Sequence, residues 1–161
     1  MNSTQIESRA VPATMVNARI ARLAEQVDVN FGALSTYRPL VGGEGVPVFT
    51  GVQTCAPGYR TRMHWHPYVE LLFVIEGEAL VYLEGREDEI QHLGPGDIVA
   101  LPPHIPHVFG TSGEQPLRIL GIHTQADRIV NFTDGTRTAA HGFATTDPDT
   151  GLPPAGRPQA Y

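Results

Sequence analysis

The chain of 161 residues contains no lysine, because all 11 of its basic residues are arginines. Without lysine it cannot form a Schiff base of its own, anchor pyridoxal phosphate or build a Walker A loop. The formal net charge is −6 and the arginines form no cluster, so we expect neither a nucleic acid nor an anionic membrane surface as a partner. A single cysteine, Cys55, excludes an intramolecular disulfide.

The sequence also has few charges and no long hydrophobic run. Charged residues make up 17% of the chain, against about 25% in a typical globular protein. The longest clean apolar run, Leu71 to Ile75, is far too short to cross a bilayer. The first residues lack the basic stretch and apolar run of a secretory signal. We therefore expect a cytoplasmic protein with no membrane partner.

Glycine and proline are abundant instead, with 17 and 14 residues, and they separate short β-rich runs about every ten residues. This rhythm predicts an all-β sandwich or barrel. The predicted strands are Val46–Thr54, Tyr59–His66, Glu70–Ile75, Ala79–Glu84, Glu87–Leu93, Ile98–Leu101, His107–Phe109 and Leu117–His123, with a possible ninth at Arg128–Phe132.

The two ends of the chain differ from this central part. From Pro12 to about Val27, apolar residues recur at spacings of three and four, which predicts one short helix. From about Thr145 onwards almost nothing is apolar, which is typical of a flexible tail. We therefore predict an N-terminal extension with one helix over residues 1–45, a barrel over 46–133 and a largely irregular C-terminal extension over 134–161.

The triplet His64-Trp65-His66 is the first candidate site. Residues two apart point away from each other on a helix but share a face on a strand, about 6.7 Å apart. Two imidazoles placed in this way can converge on one metal ion. On a straight strand Glu70 would lie about 13 Å beyond His66. A turn at Pro67-Tyr68 would return it beside the histidines.

A second segment, Pro102-Pro103-His104-Ile105-Pro106-His107, follows a Gly-Asp turn and a short predicted strand. The series Gly58, His64, His66, Glu70 and Gly77 resembles the first motif of the cupin superfamily. The series Gly96, Pro102 and His107 resembles the second motif. His104 and Thr111 depart from that pattern, at positions that are not ligand positions.

The resemblance covers roughly residues 46–125 and implies a double-stranded β-helix, or jelly-roll, barrel. It also implies one metal ion bound by His64, His66, Glu70 and His107. Such a donor set suits a divalent transition metal. We expect iron for a redox enzyme, with manganese, nickel, zinc, cobalt and copper as alternatives, and about two open positions on an octahedral ion.

Strand parity suggests which side chains line the site. Arg60 and Arg62 share the phase of the two motif histidines, so on a regular strand they face the interior and bind a substrate carboxylate or enolate. Alternatively, they lie in solvent at the strand end. Tyr68, beside the turn, is a further candidate for substrate contact or an aromatic residue of the rim. Leu72 and Val74 share the phase of Glu70 and would form an apolar wall.

Three other residues receive structural interpretations. We expect Cys55 to be a small buried residue with an inert thiol, because free cysteine is usually buried. His104 lies in a proline-rich turn, where a surface position is the simpler expectation. His123 ends a predicted strand, and the interpretation we favour leaves it outside the site.

The favoured function is a metal-dependent enzyme acting on a small carboxylate, enol or diketone, and a dioxygenase is slightly preferred. A non-redox isomerase, lyase or decarboxylase is the alternative, as is a non-catalytic cupin module that senses a metal or ligand. A barrel with a storage or structural duty is disfavoured because all four ligand positions are filled. Similar single-domain cupins pair through their sheet edges, so we also expect a homodimer.

Overall fold

The computed structural model describes residues 18–43 and 45–135, and these are built almost entirely from β-strands. The predicted all-β class is confirmed. The strands are β1 Val29–Asn30, β2 Ser35–Pro39, β3 Phe49–Cys55, β4 His64–Trp65, β5 Glu70–Glu76, β6 Ala79–Leu83, β7 Gln91–Leu93, β8 Ile98–Leu101, β9 His107–Thr111, β10 Leu117–His123 and β11 Asn131–Phe132.

The strands form two antiparallel sheets. The first sheet has the order β1-β2-β3-β10-β5-β8 and the second has the order β11-β4-β9-β6-β7. From β3 onwards nearly every connection carries the chain from one sheet to the other, so strands adjacent in sequence face each other across the interior. This is the connectivity of a jelly-roll, as expected.

The interior between the sheets is filled by the inward residues of each strand. In β5, buried and half-buried residues alternate, so Leu72 and Val74 lie in the core on the same face as Glu70. Burial of each such side chain contributes about 1.5–3 kcal/mol. The core cluster consists of Cys55, Leu72, Val74, Ala79, Val81, Leu101, Phe109, Leu117 and Ile119.

The predicted N-terminal helix is wrong where the structure describes it. Residues 18–27 contain only a single 3-10 turn, Leu23–Glu25, and residues 12–17 lie outside the described residues. Ile20 is 75% exposed and Val27 is 58% exposed. Because these two residues of the apolar stripe stay exposed, helical spacing alone does not stabilise a helix of this length.

The chain enters the first sheet earlier than predicted. Strands β1 and β2 lie within the predicted N-terminal extension, and Ser35 of β2 pairs with Cys55 of β3. The sequence of β2, Ser-Thr-Tyr-Arg-Pro, has little hydrophobic signal, so its pattern did not predict a strand. The sheet therefore begins before residue 46.

Three predicted strands are much shorter than expected. Of the possible ninth, Arg128–Phe132, only Asn131–Phe132 is a strand. Of Tyr59–His66, only His64–Trp65 is a strand, and Arg60 forms an isolated bridge with Gly110. Of Glu87–Leu93, only Gln91–Leu93 pairs. Residues 136–161, which include most of the predicted irregular tail, lie outside the described residues. None of the described segments is a helix of the length and apolarity that a membrane crossing requires.

Candidate metal centre

Both sheets contribute to one cluster of buried side chains. In the second sheet, His64 on β4 pairs directly with His107 on β9. In the first sheet, Glu70 begins β5 and lies opposite His123, the last residue of β10. His66 lies between the two sheets, in the link from β4 to β5, where its carbonyl accepts a hydrogen bond of 2.8 Å from the backbone N–H of His104.

The four predicted ligand residues converge. One donor atom from each of His64, His66, Glu70 and His107 lies within 4.8 Å of the others, and none of the four residues is more than 4% exposed. Oε2 of Glu70 lies 3.1 Å from Nε2 of His66 and 3.2 Å from Nε2 of His107. The predicted turn after His66 thus returns Glu70 to the histidines.

Backbone carbonyls orient the three imidazoles. Nδ1 of His64 donates to the carbonyl of Arg62 at 2.7 Å, Nδ1 of His66 to that of Ile129 at 2.5 Å, and Nδ1 of His107 to that of Ile105 at 3.0 Å. A neutral imidazole has one N–H. When the rings are neutral, Nδ1 carries this N–H and each Nε2 presents a lone pair to the cluster, as metal-bound histidine does.

These contacts fit a metal ion. Nε2 of His66 and Nε2 of His107 both approach one carboxylate oxygen of Glu70, and a cation placed among these three atoms would be bound by all of them. Nε2 of His107 is buried without a hydrogen-bond partner among the described residues. Two neighbouring donors about 2.1 Å from an octahedral ion lie about 3 Å apart, close to the distances observed here. Three imidazoles and a carboxylate suit a divalent transition metal.

The electrostatics keep these donors in the forms that bind metal. Burial lowers the pKa of His64 well below its usual range, and the neighbouring His107 and His66 lower it further. Burial by itself would raise the pKa of Glu70, but the surrounding histidines His66, His123 and His107 outweigh burial and hold that pKa well below its usual range. The carboxylate is therefore ionised and His64 is neutral.

His123 belongs to the cluster, so the interpretation that left it outside the site is wrong. It is 1% exposed, its Nε2 lies 3.4 Å from Oε1 of Glu70, and its ring packs edge-on against His66 with centroids 4.9 Å apart. Burial lowers its pKa well below the usual range. The sequence placed His123 at a strand end, but only the pairing of β10 with β5 shows that it lies beside Glu70.

The parity argument for the two arginines depended on a regular strand, and residues 59–63 do not form one. Arg60 is exposed, and its guanidinium donates to the backbone carbonyls of Tyr59 and Thr111, so it does not face the interior. Arg62 forms an ion pair with Asp134 and lies over the Phe132 ring, 4.0 Å from its centroid. That ring is 6.2 Å from the His64 ring, which places Arg62 at the edge of the cluster.

Tyr68 packs against the cluster, and its hydroxyl group forms hydrogen bonds with the backbone of Ile129. Its ring stacks on His66 at a centroid distance of 5.5 Å. The hydroxyl donates to the carbonyl of Ile129 at 3.2 Å and accepts from the Ile129 N–H at 2.7 Å. Burial raises the pKa of Tyr68 to about 12. Tyr68 therefore holds the Ile129 segment that orients His66, and its contact with substrate stays a prediction.

Two structural interpretations are confirmed. Cys55 is fully buried, and burial raises the pKa of its thiol to about 12. His104 is an exposed turn residue with a positive φ of 63°, and its ring lies 5.3 Å from that of Trp65.

A two-sheet jelly-roll with a histidine pair, a glutamate and a third histidine gathered between its sheets defines a cupin, and this chain is one. Over residues 46–154 its sequence matches the family described as AraC-like ligand binding domain. The match covers more than half of the chain, and the chain belongs to that family.

Among characterised relatives, the chain is 29% identical over 100 residues to L-ectoine synthase of Bordetella petrii. The aligned region covers 61% of this chain and 72% of that protein. It is 34% identical over 50 residues to acireductone dioxygenase of Bacillus pumilus. This aligned region covers 30% of this chain and 28% of that protein. The likeness to the dioxygenase is therefore confined to a minor part of that enzyme.

Among solved structures, the chain resembles a cupin-like protein from Thermotoga maritima with a TM-score of 0.53 and 28% sequence identity. The match covers 60% of this chain and 79% of that protein. It supports the cupin fold derived above from the strand order.

Proposed function

We propose that the chain is a mononuclear metal-dependent cupin enzyme, with His64, His66, Glu70 and His107 as the metal ligands. The observation that supports this most strongly is the orientation of the imidazoles. Three backbone carbonyls accept hydrogen bonds from the Nδ1–H groups of the three histidines. The three Nε2 atoms and the ionised carboxylate of Glu70 therefore face one point. A set of buried polar groups arranged only for stability would pair donors with acceptors instead.

The chemistry we propose is dioxygen-dependent oxidation of a small carboxylate, enol or diketone with iron as the metal. The bound ion would supply Lewis-acid and redox chemistry at the positions left open by four protein ligands. The partial likeness to acireductone dioxygenase supports this choice. The likeness to L-ectoine synthase supports keeping the non-redox alternative, an isomerase, lyase or decarboxylase.

The residues of this chain have defined tasks in that proposal. The carbonyl of Ile129 accepts from both His66 and Tyr68, so one peptide group fixes a ligand ring and the aromatic side chain stacked on it. Leu72 and Val74, on the Glu70 face of β5, are 1% and 0% exposed. They exclude water from behind the carboxylate, which strengthens its interactions with neighbouring charges.

Oxygen uptake is the test of the redox proposal. The iron(II)-loaded protein would be incubated with acetylacetone and a panel of small 2-oxo and 3-oxo acids in an oxygen electrode. We expect oxygen consumption that requires iron and falls at least 100-fold in His107→Gln, while the exposed His92→Gln behaves as wild type. Equal turnover under argon would contradict the dioxygenase proposal and favour the non-redox alternative.

A second candidate is a non-catalytic module that binds a metal or ligand, and the family match favours it specifically, because that family is described by ligand binding. The same purified protein distinguishes the two. A sensing module would bind its ligand and return it unchanged, with a shift in thermal midpoint. An enzyme would convert it, which mass spectrometry of the incubated ligand would detect.

The expected homodimer is also a proposal. Strands β7 and β8 are edge strands of the two sheets, and Ile98 on β8 is 56% exposed. Unpaired edges of this kind favour strand pairing with a second copy. Light scattering should give twice the mass of one chain, and the mass of a single chain at micromolar concentration would contradict the proposal.

A further inference from the structure

A chain of contacts leads from the candidate metal centre to an arginine that the sequence did not single out. Oε1 of Glu70 lies 3.4 Å from Nε2 of His123. Nε of Arg128 in turn donates a hydrogen bond of 3.2 Å to the same imidazole nitrogen. The guanidinium of Arg128 is therefore only one side chain removed from the carboxylate of a candidate ligand.

Two aromatic rings near the N-terminus, one just after β1 and one in β2, hold this guanidinium in place. It lies over the rings of Phe31 and Tyr37, 5.1 and 5.3 Å from their centroids, and these two rings stack on each other at 5.0 Å. Cation–π contacts of this kind favour one orientation of the guanidinium. Both rings precede residue 46, where the family match begins, so a segment outside the matched region positions Arg128.

Exposure changes along this chain of contacts. Glu70 and His123 are buried, at 4% and 1% exposure, whereas Arg128 is half-buried. Arg128 is therefore the member of the series that solvent, and a ligand arriving from solvent, reaches first. A guanidinium has five N–H donors, and its planar fork matches a carboxylate in two parallel hydrogen bonds.

The charges around the cluster indicate which charge such a ligand should have. A divalent ion beside the ionised Glu70 would have one net positive charge, and the guanidinium of Arg128 has another where burial strengthens electrostatic interactions. A ligand with an anionic group at each end would be attracted to both.

From this geometry we propose that Arg128 binds the anionic group of the ligand of this site. The preferred ligand is a small dianion, either a dicarboxylate or a carboxylate with an ionised enol. One end meets the ion and the other end meets the guanidinium. This inference rests on the proposed metal site, and it assigns to Arg128 the role that the strand pattern assigned to Arg60 and Arg62.

Calorimetric titration of the cobalt(II)-loaded protein tests this directly, with malonate as the dianion and malonamide as its uncharged counterpart. We expect malonate to bind at least tenfold more weakly to Arg128→Gln than to wild type, and malonamide to bind both proteins with the same low affinity. Arg128→Lys keeps the charge but not the planar fork, so it should bind malonate more tightly than Arg128→Gln and more weakly than wild type. The visible absorption of the bound cobalt should be unchanged in both variants, which shows that the ligand geometry is intact.

Arg118→Gln is the matched control, because it removes one positive charge from β10 where Arg118 pairs with the exposed Glu76. It should bind malonate as wild type does. The inference is overturned if Arg128→Gln binds malonate as wild type does, or if Arg128→Gln and Arg118→Gln lose the same malonate affinity. It is also overturned if malonate affinity falls only in Arg62→Gln, or if wild type binds malonamide as tightly as malonate.

Failure of the metal site gives a different result. If the wild-type protein binds no cobalt, the proposed function is contradicted. The same comparison of wild type with Arg128→Gln is then made with metal-free protein, where a tenfold difference in malonate affinity supports the role of Arg128 and equal affinity overturns it.

Discussion

At the scale of single residues, the candidate site is organised by peptide carbonyls as much as by side chains. His64 and His107 each donate Nδ1–H to the carbonyl two residues earlier in the chain, and His66 donates to Ile129 across the barrel. Such bonds fix both the tautomer and the direction of a ring. These hydrogen bonds restrict the orientation of the donors, which lowers the cost of binding an ion.

A prediction at this scale concerns Cys55. Burial raises the pKa of its thiol to about 12, and Oγ of Ser35 lies 3.6 Å from its sulfur. Because the thiolate is the reactive form, we expect no reaction with a disulfide reagent at pH 8 in the native protein. The denatured protein should release one equivalent per chain, measured by absorbance. Stoichiometric reaction of the native protein within minutes would contradict this.

The residues of the site were predictable to different degrees. The spacing of His64, His66 and Glu70 required a turn, and the structure contains it. His123 and Arg128 were not predictable, because their positions depend on which strand pairs with β5 and on where the chain runs after β10. Pairing of distant strands is a property of the whole sheet, and no local pattern encodes it.

At the scale of elements, the turn between β5 and β6 carries a strict steric requirement. Gly77 has a positive φ of 78°, and a Cβ there would lie 2.4 Å from the carbonyl oxygen of Pro116. Gly85, after β6, has a similar φ of 73°, but a Cβ there would meet nothing within 4 Å. The two glycines share a backbone conformation and differ in their surroundings.

We therefore expect Gly85→Ala to cost about 1–2 kcal/mol of unfolding free energy, for the left-handed conformation alone. Gly77→Ala should cost about 2 kcal/mol more, because the added methyl group overlaps backbone atoms that cannot move aside freely. Urea unfolding of the two variants and wild type measures both values. Equal destabilisation by the two substitutions would show that the contact with Pro116 is unimportant.

Elements were predicted well where the hydrophobic pattern is strong and poorly where it is weak. Strands β8 and β10 have the predicted limits. The apolar residues of β10 alternate into the core, and those of β8 lie between two turns. Strand β2 was missed, although Tyr37 within it is 2% exposed. The segment 18–27 shows the opposite error, because Ile20 and Val27 have helical spacing but stay exposed in the structure.

At the scale of the whole molecule, the fold buries two neutral histidines, His64 and His123, beside the ionised carboxylate of Glu70. Folding keeps His64 and His123 unprotonated, because burial lowers the pKa of each well below its usual range. In the unfolded chain they bind protons below about pH 6.5. The unfolded state then binds more protons than the native state, so stability falls as pH falls.

We accordingly expect the urea midpoint of the metal-free protein to fall steadily from pH 7.5 to pH 5. A further loss should follow below about pH 4.5, where Glu70 is protonated in the unfolded chain but stays ionised in the native one. His123→Gln should have a shallower slope between pH 7.5 and 5, and the exposed His92→Gln should have the wild-type slope. A midpoint that is constant over this range would contradict the account.

The central claim is that four side chains from two sheets hold one metal ion. Its most direct test is elemental analysis of the protein purified without chelator, followed by equilibrium dialysis against iron(II) and cobalt(II). We predict one transition-metal ion per chain in wild type and in His92→Gln, and a loss of at least 100-fold in metal affinity in His107→Gln. A wild-type chain that takes up neither metal, or a His107→Gln variant that binds as wild type does, would contradict the claim.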